Sequence, residues 1–317
     1  MIIAEGGSTK LDIVVIDEQN GVRRYSLPGI NPFYQSTGEM VSALKESQIR
    51  TENENALKKV YYYGAGCAFE KQSNAIKECF KQAFRSEFIE VESDLLAAAR
   101  GLLGDDKGIA AILGTGSNSG YYDGERIIDN VSSLGFMLGD EGSGGYLGKH
   151  LVSDILKGLT STELANDFFN EYHTSREEIM ENVYKKPFPN RYLAGFVPFI
   201  AKRIENAYIN TLVMNSFRDF FKRNIAHYSI YNTKQISFVG GVAQQFKREL
   251  TLVASQYGFV INDGAHFTHD FHLESTIIFC QQTLHILHYK VLGTQSANHF
   301  QVVIKQTIAF IKTLPPA

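Results

Sequence analysis

The sequence of 317 residues lacks the features that would direct it to a membrane, a nucleic acid or an oxidising compartment. No apolar run approaches the roughly 20 residues that a membrane-spanning helix needs, and no charged and apolar leader precedes the first predicted strand. The formal net charge of −3 gives no overall basic field for nucleic acid. The cysteines, Cys67, Cys79 and Cys280, are too few and too scattered for a disulfide framework. We therefore expect a cytoplasmic protein that binds neither membrane nor nucleic acid.

The rest of the composition is that of an ordinary globular protein, with 44% hydrophobic and 21% charged residues. Short apolar runs that end in glycine or Asn-Gly turns alternate with stretches of helical periodicity. The predicted strands are 1–5, 11–18, 22–27, 59–63 and 88–91 in the first half and 109–113, 119–122, 126–130 and 235–239 in the second. The predicted helices are 38–47, 69–84, 95–103, 144–158 and 244–257, with a helical stretch over about 161–227 that is interrupted at 186–190.

The second half thus repeats the β-β-β-α-β-α order of the first without repeating its sequence. A duplicated unit of this kind predicts an α/β protein with two similar domains and a cleft between them, which the glycine-ended strands would face. A chain of this length can give each domain its own core. We place the domains at residues 1–104 and 105–317, with a helical insertion at about 160–230 in the second.

Two glycine-rich turns that follow apolar strands are the first candidates for binding phosphate. They are Gly6–Lys10 (GGSTK) and Gly114–Asn118 (GTGSN). Such turns present backbone N–H groups to an anion, and their serine and threonine residues add hydroxyl groups. Many glycine turns bind nothing, but a pair of them favours two loops that bind the phosphates of one nucleotide. Lys10 is either a further phosphate contact or a solvated surface lysine.

Two carboxylates at strand ends are candidates for chemistry. Glu5 ends the first strand, where it would either hold Mg²⁺ through water or be a surface acid. Asp94 follows a strand and begins a helix. It is therefore either a general base at the end of the strand or a first-turn acid favoured by the helix dipole, with Ser93 as the N-cap.

The segment 135–148 (GFMLGDEGSGGYLG) is the most unusual in the chain, since six glycines surround the acidic pair Asp140-Glu141. One interpretation is a flexible loop. The other is close approach to a polyhydroxyl ligand, from whose hydroxyl groups the carboxylates would accept hydrogen bonds. Ser143 is in position to cap the helix that follows.

Several motifs in a fixed order resemble a known family. The segment EGGSTK is similar to the family's DSGSTKT, and the others are GINPF, YYYGAGC, SDLLAAAR, ILGTGSNS, LGDEGSG, KPFPNR and FVGGVA. Together they resemble the N-acetylglucosamine kinase-like branch of the BadF/BadG/BcrA/BcrD ATPase family, within the actin/hexokinase/Hsp70 superfamily. The resemblance covers residue 1 to about 258. It implies two ribonuclease H-like domains of the actin-like ATPase type.

The resemblance also implies a function, which is ATP-dependent phosphorylation of an amino sugar, first of all N-acetylglucosamine at its 6-hydroxyl. Asp94 would then be the catalytic base, and Glu5 would hold Mg²⁺. The residues expected to contact the sugar are Asn31, Gly66 and Asp140. Those expected to hold the nucleotide are Gly7, Ser8, Thr9, Lys10, Gly114, Thr115, Gly116, Ser117 and Asn118 at the phosphates, and Gly240 and Gly241 beside the adenosine. Members of this family are often dimers, so a homodimer is a further expectation.

The sequence departs from the family pattern at three places. Glu5 replaces the aspartate of the first loop, and Leu11 stands where threonine is usual. From about residue 259 the expected segment near the adenine is not recognisable, although a helix is predicted over 273–292. The histidines in this tail are either solvated or, at His269 with His272 or His285 with His288, a metal pair.

These departures leave two other functions open. A sensor of sugar or nucleotide that has lost its chemistry would explain Glu5 and the divergent tail. An ATPase that activates a dehydratase would need an iron–sulfur cluster, for which Cys67 and Cys79 are the only close pair of thiols.

Overall fold

The structure of the protein is a computed structural model that describes residues 2–6, 10–17, 21–30, 32, 35–49, 58–64, 67 and 70–262. The chain divides into two compact units, with the boundary after Gly104. No helix in these ranges is both long and apolar enough to cross a lipid bilayer.

The first unit is built on a mixed sheet. Its strands in the described residues are Ile2–Gly6 (β1), Lys10–Asp17 (β2), Gly21–Pro28 (β3), Lys59–Gly64 (β4) and Phe88–Ser93 (β5). They lie in the order β3-β2-β1-β4-β5. The first three strands pair antiparallel, whereas β1 with β4 and β4 with β5 pair parallel. The helices are Thr37–Lys45 (α1), Glu70–Phe84 (α2) and Asp94–Leu103 (α3).

The core of this unit lies where α1 and α2 cover one face of the sheet. Tyr62 of β4 belongs to it, and its ring leans over the paired strand ends at Gly6 and Gly64. A Cβ at either glycine would overlap the tyrosine side chain. The two glycines at these strand ends are therefore needed for packing, whatever else the adjoining turns do.

The second unit repeats this arrangement. Its strands in the described residues are Gly108–Leu113 (β6), Ser117–Tyr122 (β7), Ile127–Val131 (β8), Gln235–Val239 (β9) and Val260–Ile261 (β10). They lie in the order β10-β9-β6-β7-β8. As in the first unit, the first three strands of the chain, β6, β7 and β8, pair antiparallel, and the two later strands, β9 and β10, add parallel pairs. The predicted α/β class and the duplicated strand order are confirmed.

The helices of the second unit lie mostly between β8 and β9. They are Gly135–Leu138 (α4), Gly144–Leu156 (α5), Thr162–Tyr172 (α6), Arg176–Tyr184 (α7), Pro189–Ala194 (α8), Val197–Lys202 (α9), Ala207–Arg223 (α10), Gly241–Gln245 (α11) and Lys247–Gln256 (α12). A 3₁₀ helix, Ile225–Tyr231, follows α10. Their apolar faces form one large aromatic core with the sheet.

Two predicted helical segments contain interruptions that their periodicity did not indicate. The stretch over 161–227 divides into five α-helices. Ser161, Ser175 and Asn206 cap three of their N-termini with a side-chain oxygen, and α8 and α9 each carry a proline in the first two positions. The predicted helix at 244–257 is interrupted at Phe246, whose φ of −117° and ψ of 36° are not helical and whose ring is buried beside Phe217. The predicted helix over 273–292 and the tail histidines lie outside the described residues.

Candidate active site

The loop Gly114–Asn118 of the second unit is fixed by the first turn of α5. The N–H of Gly144 donates to the carbonyl of Gly114 at 2.8 Å, and that of Gly145 donates to the carbonyl of Thr115 at 3.0 Å. Within the loop, the Gly114 N–H donates to the Gly116 carbonyl at 2.9 Å. Two motifs that are about 30 residues apart in the sequence therefore form one backbone unit.

Glycines let α5 approach this closely. A Cβ at Gly145 would lie 3.0 Å from the Thr115 carbonyl oxygen, and one at Gly148 would overlap the carbonyl of Leu193 in α8. Residues 139–145 are all buried. Residues 139–145 are thus packed against the protein, and at least two glycines of the segment make room for protein backbone.

The carboxylate of Asp140 also stabilises the loop Gly114–Asn118. Its Oδ1 accepts a hydrogen bond from the backbone N–H of Ser117 at 3.3 Å, and the residue is only 6% exposed. A Cβ on Gly116 would lie 3.1 Å from Oδ2. Asp140 has a φ of 57°, in the left-handed region that few residues other than glycine, asparagine and aspartate adopt. The expected contact of Asp140 with a sugar stays a prediction, but its contact with the loop is a finding.

Replacing Asp140 by alanine should loosen the loop. The change leaves the buried Ser117 N–H without this acceptor and places alanine at positive φ, each at a cost of about 1–3 kcal/mol. We expect amide hydrogen exchange over residues 113–118 to accelerate at least about tenfold, as followed by mass spectrometry. Asparagine keeps an acceptor oxygen and tolerates positive φ, so Asp140→Asn should accelerate exchange much less. Equal exchange in the wild type and Asp140→Ala would contradict this role.

The four backbone N–H groups from Gly114 to Ser117 differ in their hydrogen bonding. The N–H groups of Gly114 and Ser117 are engaged, whereas those of Thr115 and Gly116 have no acceptor within the part of the chain that the structure describes. Thr115 is exposed, so its hydroxyl group is also accessible. Adjacent N–H groups at a glycine turn form a concave site for an anion.

Gly240 supports the base of the loop. It directly follows β9 and has a φ of 119° and a ψ of 149°, and a Cβ there would overlap the carbonyl of Leu113. Only glycine adopts this backbone conformation readily. Gly241 begins α11 and has open space where its Cβ would be. The second FVGGVA glycine is thus sterically free, whereas the first is required where β9 passes β6.

In the first unit, Asp94 begins α3, and the predicted N-cap is confirmed. The Ser93 Oγ accepts from the Leu96 N–H at 3.2 Å, and the Asp94 Oδ1 accepts from the Leu95 N–H at 2.8 Å. Desolvation of the carboxyl group by burial raises its pKa, although hydrogen bonds from backbone N–H groups oppose the shift. A raised pKa is what a general base near neutral pH requires. The first-turn position of Asp94 is therefore a finding, and its role as a general base stays a prediction.

Glu5 and Lys10 lie on paired strands. In the register of β1 and β2, Glu5 is opposite Asp12, and the Lys10 Nζ is 2.9 Å from the Asp12 Oδ1. Lys10 is thus engaged with a carboxylate of its own strand. No group of three or more His, Cys, Asp or Glu side chains suited to a metal occurs among the described residues. The predicted contacts Gly7, Ser8, Thr9, Asn31 and Gly66 lie outside the described residues.

The two described cysteines are poor candidates for ligating a cluster. Cys67 and Cys79 are free and buried, and burial raises the pKa of each thiol to about 12. Cluster ligation requires thiolates, which such surroundings disfavour.

Sequence reasoning missed the side chains that surround Asp140-Glu141. The buried Glu141 forms an ion pair with Arg223, with Nη1 to Oε1 at 3.5 Å. The Lys149 Nζ donates to the Phe136 carbonyl at 2.9 Å and lies 5.0 Å from the centre of the Tyr146 ring. Arg223 is more than 80 positions from Glu141, and no local pattern indicates such a pair.

The fold is that of known sugar kinases. A Porphyromonas gingivalis protein that carries the provisional name N-acetylglucosamine kinase is 37% identical, with a TM-score of 0.79 over 90% of this chain and 99% of that one. A protein of the same provisional name from Chromobacterium violaceum is 16% identical, with a TM-score of 0.63 over 88% of this chain and 98% of that one.

A more distant likeness is to a ROK family glucokinase from Streptomyces griseus, solved with glucose and AMPPNP. It is 16% identical, with a TM-score of 0.53 over 81% of this chain and 87% of that one. Neither it nor the Chromobacterium protein shows more than the fold at this identity. No protein-family model and no curated protein matches the chain. The identity to the Porphyromonas protein across nearly its whole length shows that the chain belongs to the same family, the N-acetylglucosamine kinase-like proteins with the actin-like ATPase fold.

Proposed function

We propose that the protein transfers the γ-phosphoryl group of ATP to a hydroxyl group of an amino sugar, with N-acetylglucosamine and its 6-hydroxyl as the first expectation. The observation that carries the proposal is the braced loop Gly114–Asn118, whose Thr115 and Gly116 N–H groups have no described acceptor. Such amides suit the phosphates of a nucleotide. The relative from Porphyromonas gingivalis, provisionally named a kinase of this sugar, supports the choice of substrate.

Phosphoryl transfer needs positioning and neutralisation of charge more than covalent chemistry by the protein. In this proposal the loop holds the phosphates, and the hydroxyl group of Thr115 adds a third donor. The proposed phosphate contacts of the first unit are Gly7, Ser8 and Thr9. The residues proposed to lie beside the adenosine are Gly240 and Gly241. Asp140 acts through the loop that it braces, and together with Asn31 and Gly66 it contacts the sugar.

Glu5 is the proposed Mg²⁺ ligand, since Asp12 across the strand pair is engaged with Lys10. Glu5 is opposite Asp12 in register, and carboxylate oxygens with water are the ligands that this ion prefers. We propose that Glu5 holds Mg²⁺ through water. When bound, the ion neutralises phosphate charge.

Asp94 is the proposed general base. In this role its carboxylate accepts the proton of a sugar hydroxyl group as the phosphoryl group transfers, and the rise in its pKa caused by burial is in the direction that favours a base. The hydrogen bond from the Leu95 N–H fixes one carboxylate oxygen, so the other oxygen is the one proposed to accept the proton.

A panel of sugars tests the proposal. Release of ADP from Mg-ATP is followed with N-acetylglucosamine, glucosamine, N-acetylmannosamine, N-acetylmuramate and glucose. We expect turnover to depend on the sugar and to be fastest with an N-acetylated amino sugar. ADP release that is the same with and without every sugar would overturn the proposal.

A further inference from the structure

A pair of asparagines joins β7 to β8 beside the loop Gly114–Asn118. Asn118 is the second residue of β7, and Asn130 on β8 is opposite Gly120 in the register of the two strands. Since residues that are two apart on a strand or directly opposite each other share a face, Asn118, Gly120 and Asn130 lie on one face of the sheet. Gly120 carries no side chain, so the Asn130 side chain can reach across the strand to Asn118.

The carboxamide oxygen of Asn118 accepts two hydrogen bonds. The Asn130 Nδ2 donates to it at 2.9 Å, and the backbone N–H of Ser119 donates to it at 3.0 Å. The Asn130 Nδ2 is itself fixed, because it also donates to the carbonyl oxygen of Ser119 at 2.7 Å. Turning the Asn118 amide by half a turn would place its Nδ2 against two other N–H donors. The neighbours of Asn118 therefore determine which way its amide faces.

This orientation leaves the Nδ2 of Asn118 as the group that can bind a ligand. It has no acceptor within the residues that the structure describes, and Asn118 is only partly buried. An amide nitrogen carries two N–H donors and no acceptor position, whereas the oxygens of an ionised phosphate only accept. The same side chain with its oxygen outward would present an acceptor to an anion and disfavour it. The observed orientation thus suits a phosphate.

We propose that Asn130 is a positioning residue for nucleotide binding. It holds the carboxamide of Asn118 so that the Nδ2, rather than the oxygen, faces a phosphate group. The inference rests on the proposed function, in which the loop Gly114–Asn118 binds the phosphates. Asn130 acts through Asn118 and contacts no phosphate itself, and the Asn118 Nδ2 adds a side-chain donor to the N–H groups of Thr115 and Gly116.

A purely structural role for Asn130 would be to hold β7 against β8. The Ser119 carbonyl, however, also accepts from the Tyr228 hydroxyl group at 2.8 Å, and the oxygen of that hydroxyl group accepts from the Val131 N–H at 2.9 Å. Tyr228 therefore connects the two strands at this point without Asn130, which is exposed. We expect Asn130→Ala to fold, with an unfolding temperature close to that of the wild type.

Titration calorimetry of the full chain with Mg²⁺ and AMPPNP, in the absence of sugar, tests the inference. Asn118→Ala removes a hydrogen bond to a charged group and should weaken AMPPNP binding at least about tenfold. Asn130→Ala leaves the Asn118 amide free to turn and should weaken binding about threefold to tenfold. Asn182→Ala is the matched control, because it removes a 2.7 Å hydrogen bond from an asparagine Nδ2 to a backbone carbonyl on α7 and should leave binding unchanged.

A double-mutant cycle separates positioning from structure. If Asn130 acts through Asn118, then Asn130→Ala changes the AMPPNP affinity of the wild type but not that of Asn118→Ala. A structural effect of Asn130 would be the same in both backgrounds. Asn118→Asp tests the same geometry if Asn130→Ala does not fold, as judged by circular dichroism. It keeps the oxygen that Asn130 and Ser119 bind and replaces the Nδ2 by a charged oxygen, so it should bind AMPPNP more weakly than Asn118→Ala does.

Each result decides between this inference and the proposed function. The inference is overturned if folded Asn130→Ala binds AMPPNP as the wild type does, or if its effect is as large in the Asn118→Ala background. It is equally overturned if Asn118→Asp binds no more weakly than Asn118→Ala. A wild type that binds AMPPNP but phosphorylates no sugar overturns the proposed function alone, and a wild type that does not bind AMPPNP overturns both.

Discussion

Replacing Asp94 by asparagine is expected to lower the turnover number for sugar phosphorylation by about 10²- to 10⁴-fold. Asparagine preserves the shape of the side chain and can still accept the hydrogen bond from the Leu95 N–H, but it cannot accept a proton from the substrate. The sugar affinity, measured by titration calorimetry, should stay within a few-fold of the wild type. The measurement is steady-state ADP release with saturating N-acetylglucosamine and Mg-ATP.

Ser93→Ala is the control for damage to the helix. It removes the N-cap of α3, at a cost of about 1 kcal/mol of stability, and leaves the carboxyl group in place. Its turnover number should therefore remain within a few-fold of the wild type. A turnover number of Asp94→Asn equal to that of the wild type would remove Asp94 from the mechanism.

The raised pKa of Asp94 also predicts how the stability of Asp94→Asn depends on pH. Because the folded-state pKa lies above the ordinary value of 3.8, the folded chain favours the protonated carboxyl group more than the unfolded chain does. The ionised group therefore lowers stability at neutral pH, and this cost disappears as the pH falls below the ordinary value. Asp94→Asn should unfold at a higher temperature than the wild type at pH 7, with a difference that shrinks towards acidic pH.

Replacing Gly240 by alanine is expected to lower the free energy of unfolding by at least about 2 kcal/mol, since backbone strain and a steric overlap add. The φ of 119° is outside the range that alanine adopts readily, and the new Cβ would overlap the carbonyl of Leu113. Because Leu113 leads directly into the loop Gly114–Asn118, amide exchange in that loop should also accelerate. Thermal unfolding followed by circular dichroism measures the first effect, and exchange mass spectrometry measures the second.

Gly241→Ala is the matched control, since it is the next residue and has the same change in size. Apart from its own helix and chain neighbours, no atom of the described residues lies within 4 Å of the position of its Cβ, and it is the first residue of α11, where alanine favours the helix. Its stability should equal or slightly exceed that of the wild type. If both variants lost stability equally, the steric requirement would not be specific to Gly240.

Local chemistry made much of the fold predictable. The strands around Asn20-Gly21 and Asp123-Gly124 were expected from their turns, and the N-caps at Ser93 and Ser143 from their positions before helical periodicity. Hydrogen bonds from Leu96 and Tyr146 N–H groups confirm both caps. These features depend on residues within about four positions of one another, which is the range over which sequence patterns carry information.

The features that could not be predicted are contacts between residues that lie far apart in the sequence. The contact of Asp140 with Ser117 spans 23 positions, and the overlap that excludes a Cβ at Gly240 involves Leu113. The break at Phe246 follows from tertiary structure rather than from a helix-breaking residue. The glycines of 135–148 were correctly identified as unusual, but periodicity could not show that protein backbone lies close to Gly145 and Gly148.

Phosphorus NMR of a reaction with Mg-ATP and N-acetylglucosamine tests the central claim most directly, because it distinguishes transfer to the sugar from hydrolysis. The account predicts a phosphomonoester signal that grows in step with ADP, is absent without sugar, and is nearly abolished in Asp94→Asn. A wild-type reaction that yields ADP and inorganic phosphate alone, or neither product with any sugar of the panel, would contradict it.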